Sequence, residues 1–180
     1  MEISRNALDG SALCLECGMC CRGVLHGYVV LERHEAERAT QLGFVVVERN
    51  ERPTFGQPCP KLEGNRCSIY PDRPSACVSY RCRLLDRYLA GDVDKDQARA
   101  LIDEARDRVS RLRALMPGKT MSELRRRWAR GVDGFLSGNP DSAETECRAF
   151  VELTALGVFL DRYFVLDRES KQVIERQIVT

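Results

Sequence analysis

The chain has 180 residues and a formal net charge of +1, with 43% hydrophobic and 31% charged residues. This composition is that of an ordinary globular protein and argues against a disordered chain. The near-neutral charge gives no general indication of binding to nucleic acid or membrane. The length suits one compact domain, or a small module joined to a helical partner.

No secretion signal or membrane span is expected from the sequence. Residues 1–13 carry Glu2, Arg5 and Asp9, and they lack the apolar segment of a signal peptide. The longest mostly apolar stretch, from Val151 to Leu160, is interrupted by charge and is too short to cross a bilayer. The sequence therefore predicts a cytoplasmic protein. In that reducing compartment, cysteines serve as metal ligands or catalytic thiols more often than as disulfides.

Short elements are predicted in the first half of the chain. A helix is expected from about Leu31 to Leu42, and the valine-rich stretch from Phe44 to Glu48 fits a short strand. The segment from Cys59 to Tyr70 has the pattern of a tight hairpin with its turn at residues 63–65. Five of the seven prolines fall between residues 53 and 74, so regular helix is not expected there.

Two amphipathic helices are predicted next. The first begins at Asp92 or Asp94, either of which can cap its N-terminus, and it ends before Pro117. Its apolar positions share one face and are Leu101, Ile102, Ala105, Val109, Leu112 and Leu115. Thr120 and Glu123 have the spacing of a capping box, which opens a second helix through the arginine-rich stretch that follows.

A third and longer helix is predicted near the end of the chain. Asp141 and Glu144 have the spacing of its capping box, and the helical pattern extends to about Phe164. Apolar residues cover most of its surface outside one charged stripe, and they are Phe150, Val151, Leu153, Ala155, Leu156, Val158, Phe159 and Leu160. This helix is therefore expected to be the central, buried helix of a small bundle. Cys147 and Trp128 are both expected in the core.

The cysteines are concentrated in the first half, where they form a candidate metal site. Eight of the nine lie between residues 14 and 82. The predicted metal ligands are these eight, Cys14, Cys17, Cys20, Cys21, Cys59, Cys67, Cys77 and Cys82. Metal binding is preferred over a disulfide-rich module, because the compartment is reducing. It is also preferred over a role as eight small buried hydrophobic residues, because the density of cysteine is too high.

The spacing of the first four cysteines, C-x-x-C-x-x-C-C, indicates which metals are suitable. Cys14 and Cys17 form a C-x-x-C turn, which brings two sulfurs to one side of a short loop. With Cys20 they give the run typical of [4Fe–4S] binding, in which another cysteine is often followed by proline, as Cys59 is. Cys20 and Cys21 are adjacent and tend to point apart, so two four-sulfur centres are simpler than one. The sequence does not say which cysteine serves which centre.

Five short motifs surround these cysteines. They are Cys14-x-x-Cys17-Gly18-x-Cys20-Cys21, Cys59-Pro60-x-Leu62, Gly64-x-x-Cys67-x-Ile69-Tyr70, Arg73-Pro74-x-x-Cys77 and the single Cys82. The pattern resembles the YkgJ-like cysteine-cluster (CxxCxxCC) family, and the resemblance covers residues 14–82. It implies a zinc- or iron-chelating domain, in many members an iron–sulfur protein. The family also includes flagellin lysine methylases, but this sequence has no glycine-rich strand-to-helix turn for a nucleoside cofactor, so methyl transfer is not inferred.

These features together predict an α+β, mostly α fold. A loop-rich cysteine metal-binding module, with a short helix and a small hairpin, is expected to pack on a C-terminal helical bundle. The division is placed between residues 1–90 and residues 91–180, with one continuous domain as the alternative.

Three functions are compatible with this organisation. The favoured one is an iron–sulfur protein, preferably with [4Fe–4S], in a redox, cluster-handling or enzyme-supporting role. The alternative is a pair of structural Cys₄ zinc (Zn²⁺) sites in a module that binds protein. The third is a metal-dependent enzyme of unknown substrate, in which His26 could complete an open coordination site.

Charged side chains are expected to act around the metal and on the helical half. Arg22, Arg73 and Arg81 lie beside cysteines and could offset thiolate charge through hydrogen bonds. The basic segment that begins at Arg99 and ends at Arg130 predicts a solvated face, or a docking surface for an acidic protein partner or for the metal-binding module. Nucleic acid is less expected there, and no membrane contact is expected. His34 is expected to be solvated.

Overall fold

The computed structural model describes residues 10–165, in which short elements and two small antiparallel sheets precede a set of longer helices. The α-helices are α1 (Gly10–Cys17), α2 (Ala36–Gln41), α3 (Ser75–Ser79), α4 (Arg83–Ala90), α5 (Lys95–Leu115), α6 (Met121–Trp128), α7 (Gly131–Phe135) and α8 (Pro140–Tyr163). The strands are β1 (Tyr28–Val30), β2 (Val46–Arg49), β3 (Arg52–Gly56), β4 (Leu62–Glu63) and β5 (Arg66–Cys67). The predicted α+β, mostly α class is confirmed. The prediction about a signal peptide falls mainly on residues 1–9, which lie outside the described residues.

A three-stranded antiparallel sheet follows α1, with its strands in the order β1-β3-β2. β2 confirms the valine-rich strand, whereas the sequence pattern predicts neither β1 nor β3. The turn between β2 and β3 consists of Asn50 and Glu51, whose φ values of 48° and 59° are those that a two-residue hairpin turn requires. Arg33 Nη2 donates to the Glu51 carbonyl at 2.6 Å, which holds this turn in place.

One face of the three-stranded sheet packs on a small apolar cluster, the sheet core. Its buried members are Leu31, Ala39, Phe44 and Phe55. The helix predicted over this stretch is confirmed only in its second part, α2. A single turn of 3₁₀ helix at Arg33–Glu35 precedes α2, and Glu32 and Glu35 close a capping box around it. The helix therefore starts later than the apolar pattern predicts.

The second sheet is the hairpin formed by β4 and β5, which confirms the predicted hairpin and its turn. Leu62 pairs with Cys67, and the chain reverses at residues 64–65. Gly64 has a φ of +61°, a conformation that costs a residue with a side chain about 1–2 kcal/mol. The Leu62 N–H donates to the Cys59 carbonyl at 3.2 Å. The hairpin thus returns Cys67 towards Cys59.

The segment that carries Cys14 and Cys17 is a helix, α1, and not the short loop that the C-x-x-C spacing suggests. α1 buries Leu13 in the interior. It packs closely on α4, because a β-carbon at Gly10 would lie 2.8 Å from Leu85 Cδ1. Residues three apart share one face of a helix as readily as one side of a turn, so the spacing alone does not separate the two conformations.

The helical half consists chiefly of α5, α6 and α8, and its helices start at capping residues. Asp94 caps α5 and Thr120 caps α6, and each closes a capping box with the residue three positions later. Both starts agree with the sequence prediction. The start of α8 does not, because Asn139 rather than Asp141 is the capping residue, and Pro140 occupies the first turn.

α8 is buried along one narrow stripe only, so the prediction of a central helix buried over most of its surface outside one charged stripe is wrong. Its buried residues recur every three or four positions, at Glu146, Ala149, Leu153, Leu156 and Leu160. Val151 and Val158 are 65% and 66% exposed, and Cys147 is exposed as well. Trp128 also lies outside the core; it is 43% exposed, and its Nε1–H donates to Thr154 Oγ1 at 2.8 Å. A helix that packs on one side buries one stripe, so apolar residues off that stripe remain at the surface.

The main hydrophobic core, the larger of the two buried clusters, joins the cysteine-rich segment to the helices. Leu13, Met19 and Val24 are buried in the same cluster as the apolar faces of α4, α5, α6 and α8. The sheet core is a separate and smaller cluster. Within residues 10–165, none of the helices is both long enough and apolar enough to cross a membrane.

Two arginines of the basic segment contact the cysteine-rich segment. Arg99 binds the Glu16 carboxylate through Nε and Nη2, at 2.8 and 2.7 Å. Arg125 donates to the carbonyls of Gly23 and Val24, just after the four clustered cysteines. Charge-assisted hydrogen bonds of this kind are stronger than those between neutral groups. They help hold the cysteine-rich loop against α5 and α6.

Candidate metal centre

The cysteine loop, residues 18–24, follows α1 and is ordered by backbone hydrogen bonds and by one buried side chain. The Gly18 N–H donates to the Cys14 carbonyl, and the Val24 N–H donates to the Met19 carbonyl, both at 3.0 Å. Gly18 has a φ of +65°, a conformation that favours glycine at this position. Met19 is only 1% exposed and anchors the middle of the loop in the main core.

Four cysteines lie around the contact between α1 and α4. Cys14 and Cys17 are three positions apart on α1, which packs against α4, and Cys82 is the capping residue of α4. The Cys82 sulfur accepts a hydrogen bond from the Leu85 N–H at 3.4 Å, which directs the sulfur to the N-terminus of that helix. Cys20 lies beside these cysteines, because the sulfurs of Cys82 and Cys17 are the neighbours that most raise the pKa of its thiol after burial. We call Cys14, Cys17, Cys20 and Cys82 the first group.

The other four cysteines lie beside the sheet core. The Cys59 N–H donates to the Cys21 carbonyl at 2.7 Å, and the β4–β5 hairpin returns Cys67 to the same side. Cys77 lies on α3, and both Cys77 and Cys59 pack against the sheet core. We call Cys21, Cys59, Cys67 and Cys77 the second group. All eight predicted ligands therefore belong to one group or the other, and Cys147 lies apart on the outer side of α8.

Burial and neighbouring sulfurs raise the pKa of the Cys17 and Cys20 thiols in the first group. Burial is the main cause that raises the pKa of Cys17 to about 12, and the sulfurs of Cys82 and Cys14 act in the same direction. Burial likewise raises the pKa of Cys20 well above its usual range, with Cys82 and Cys17 again as neighbours. Arg106 opposes this shift at Cys17, because its positive charge favours a thiolate and so lowers the pKa. The first group thus faces one cation of α5.

In the second group, burial and neighbouring sulfurs raise the pKa of the Cys21 and Cys77 thiols. Burial raises the pKa of Cys77 to about 12, and the sulfurs of Cys21, Cys59 and Cys67 add to the shift. Burial also raises the pKa of Cys21, followed by the effects of Cys59 and Cys67. Arg73 opposes the shift at both Cys77 and Cys21, as expected for an arginine that offsets thiolate charge. The sulfurs of this group are therefore mutual neighbours.

Arg22 connects the cysteine loop to the hairpin turn. Its Nη2 donates to the Gly64 carbonyl at 3.0 Å and also to Asn65 Oδ1. Asn65 Nδ2 in turn donates to the Glu16 carbonyl at 3.4 Å. The guanidinium of Arg22 also lowers the pKa of Cys21, against the larger effect of burial. This arginine therefore has both a positioning and an electrostatic effect on the site.

Tyr80 lies beside the first group and has no counterpart in the sequence analysis. Burial raises the pKa of its phenol, and the sulfurs of Cys20 and Cys82 raise it further, so the hydroxyl keeps its proton. The His26 ring packs edge-on against the Tyr80 ring, with centroids 4.6 Å apart. The only sequence signal for Tyr80 is its position two residues before Cys82. His34 is exposed, in agreement with its expected solvation.

The donor set fits a thiolate-bound metal. All eight cysteines are free thiols, and sulfur is the donor that suits zinc and iron–sulfur clusters. Within residues 10–165, no three Cys, His, Asp or Glu side chains are placed as a closed ligand set. Metal binding to such thiols displaces their protons.

Comparison with known proteins gives one family match. The CxxCxxCC family, described as "Putative zinc- or iron-chelating domain", matches residues 13–102, which is half of the chain. The matched range contains both groups of cysteines and extends into α5. Neither the curated proteins nor the solved structures contain a match to this chain.

Proposed function

The chain belongs to the CxxCxxCC family, and from that premise we propose that its eight N-terminal thiolates bind iron–sulfur, with at least one [4Fe–4S] centre. The ligands are Cys14, Cys17, Cys20, Cys21, Cys59, Cys67, Cys77 and Cys82. When bound, such a centre supplies electron-transfer chemistry or a cluster for delivery. The role is accordingly redox, cluster handling or support of an enzyme reaction.

The observation that carries this proposal is the gathering of all eight thiols into sulfur-rich neighbourhoods within the matched region. Sequence spacing favours iron over zinc, because Cys14, Cys17 and Cys20 form a three-ligand run and Cys59 precedes a proline. Cationic side chains lie where negative charge would accumulate, as Arg73 does beside the second group.

The metal is identified by purifying the chain without oxygen and counting iron, acid-labile sulfide and zinc per chain. We expect brown protein that bleaches with dithionite and contains iron and sulfide in equal amounts. Colourless protein with full zinc occupancy would overturn the iron assignment but leave a thiolate metal site. Folded protein with eight free thiols and no metal would overturn metal binding altogether.

Structural zinc is the second candidate, supported by the four free cysteines that each group contains. Four thiolates are a complete ligand set for a closed tetrahedral zinc site. Such a site contributes on the order of 10 kcal/mol to folding, which is enough to order a segment of short strands and loops. The chain would then act as a protein-binding module, and the same metal count separates the two candidates.

We propose that the protein works in the cytoplasm, where its thiols stay reduced. For a protein partner, the remaining free part of the basic segment is the candidate surface. Arg99 and Arg125 are engaged with the cysteine-rich segment, whereas Arg126 and Arg130 are exposed at the end of α6 and just beyond it. Charge reversal at those two exposed positions should weaken capture of an acidic partner and leave the metal content unchanged.

A further inference from the structure

Resting on the proposed function, we propose that the eight thiolates form two separate four-sulfur metal sites of defined membership. One site consists of the first group, Cys14, Cys17, Cys20 and Cys82, and the other consists of the second group, Cys21, Cys59, Cys67 and Cys77. The spacing of the cysteines leaves this assignment open, because each site combines ligands that are distant in sequence. The packing of the chain assigns each cysteine to one of the two sites.

The first site is defined by the contact between two helices. Cys17 and Cys82 both pack against the main core, Cys17 at the end of α1 and Cys82 at the start of α4. Leu13 on α1 and Leu84 on α4 are buried in that same cluster, so the two helices meet beside these sulfurs. A ligand from the N-terminus of α4 therefore completes a set that begins on α1, although more than sixty residues separate them in sequence.

The second site is defined by the sheet core. Cys59 and Cys77 pack against it, and neither belongs to the main core. α3, which carries Cys77, is fixed to the same region because the Ser75 N–H donates to Glu35 Oε1 at 2.7 Å. The hydrogen bond from the Cys59 N–H to the Cys21 carbonyl brings in the one ligand from the cysteine loop.

Cys20 and Cys21 are the point at which the two sites meet. Consecutive α-carbons are about 3.8 Å apart, so these two residues place the sites side by side. Their surroundings differ: the Cys21 carbonyl accepts from the Cys59 N–H, whereas Cys20 follows Met19, which is buried in the main core. A single peptide bond therefore joins two centres that rest on different hydrophobic cores. Two such sites differ from a single polynuclear centre, in which all eight sulfurs would bind the same metal cluster.

Four double variants, built from the same four substitutions, test the membership. Two are same-group pairs, Cys14→Ser with Cys82→Ser and Cys59→Ser with Cys77→Ser. Two are cross-group pairs, Cys14→Ser with Cys59→Ser and Cys82→Ser with Cys77→Ser. Metal per chain is counted after anaerobic purification. Same-group pairs should retain about half of the wild-type metal, because one site is intact, and cross-group pairs should retain almost none.

Equal metal retention in both kinds of pair would overturn the two-site assignment. Wild-type protein without metal would instead overturn the proposed function, so the two failures are distinguishable. Cys147→Ser is the control, because this cysteine is exposed on α8 outside both groups, and it should keep full metal content.

A second measurement uses the wild-type chain and does not depend on the folding of variants. Metal is removed stepwise with a chelator while an alkylating reagent labels each released thiol, and fragment-ion mass spectrometry locates the labels. The cysteines should become reactive in two blocks of four, with Cys20 and Cys21 in different blocks. Labelling of Cys20 and Cys21 in one step, together with a mixture of both groups, would overturn the assignment.

Discussion

The position of Met19 leads to a quantitative prediction about how the cysteine loop is held. Met19 lies between Cys17 and Cys20, and it is 1% exposed in the main core. Replacing it with alanine removes three buried heavy-atom groups, worth about 0.8 kcal/mol each, and leaves a cavity. Buried Met→Ala substitutions typically cost about 2–5 kcal/mol, so we expect Met19→Ala to lower the free energy of unfolding by about 3 kcal/mol.

The matched control is Met121→Ala, because Met121 is 5% exposed in the same core but lies on α6 and is not flanked by cysteines in the sequence. Guanidinium denaturation followed by circular dichroism should give similar losses for the two variants. Release of metal to a chelator should be faster only in Met19→Ala, because only that change loosens the loop between two ligands. A loss below about 1 kcal/mol for Met19→Ala, or equal metal release from both variants, would refute the reasoning.

Three further predictions concern other contacts. The Ser137 N–H, together with a neighbouring guanidinium, lowers the pKa of Glu146, so this carboxylate stabilises the fold at neutral pH and loses that effect as the pH falls through the acidic range. Glu146→Gln should cost about 2 kcal/mol near neutral pH and flatten the acid side of the plot of melting temperature against pH; an unchanged acid slope would contradict this. Arg125→Ala should lower the free energy of unfolding by about 2–3 kcal/mol, because it leaves two backbone carbonyls without their donor. It should also speed metal release to a chelator. Arg126 is exposed, and Arg126→Ala should have neither effect. Gly64→Ala should lower the free energy of unfolding by about 1 kcal/mol through its positive φ, and a neutral effect would argue against the hairpin turn.

The sequence predicts the elements whose signals are local. The capping boxes at Asp94 and Thr120 identify two helix starts, because a helix N-terminus needs acceptors for its first N–H groups wherever it lies. The β4–β5 hairpin is predicted for a similar reason, since Gly64 marks a turn that requires a positive φ. These interactions involve residues only a few positions apart.

The elements that the sequence does not predict depend on distant contacts. The strand β3 contains Pro53, which disfavours a strand assignment, and it follows an Asn50-Glu51 turn rather than the familiar Asn-Gly. Pro53 is nevertheless accommodated, since its carbonyl accepts from the Leu31 N–H at 2.8 Å. The exposure of Val151 follows from where neighbouring helices lie, which a helical pattern alone does not specify.

For the candidate site, too, the sequence predicts only the features that have a local signal. The eight proposed ligands are predicted from cysteine density and spacing, but their grouping is not. Cys82 joins the first group because α1 packs on α4, and Cys77 joins the second group because α3 lies on the sheet core. Arg106 and Tyr80 adjoin the sulfurs only through tertiary structure, so no local pattern indicates them.

The exposed indole of Trp128 offers a way to follow this molecule without a label. It is the single tryptophan of the chain, so intrinsic fluorescence would report on one known place. That place is the α6–α8 contact, where the indole N–H donates to Thr154 and the ring stacks on Phe150. One turn earlier on the same helix, Arg125 contacts the cysteine loop. A shift of the emission maximum on metal loading would therefore mean that α6 transmits the change to this contact, and an unchanged maximum would mean that the change stays within the cysteine-rich segment.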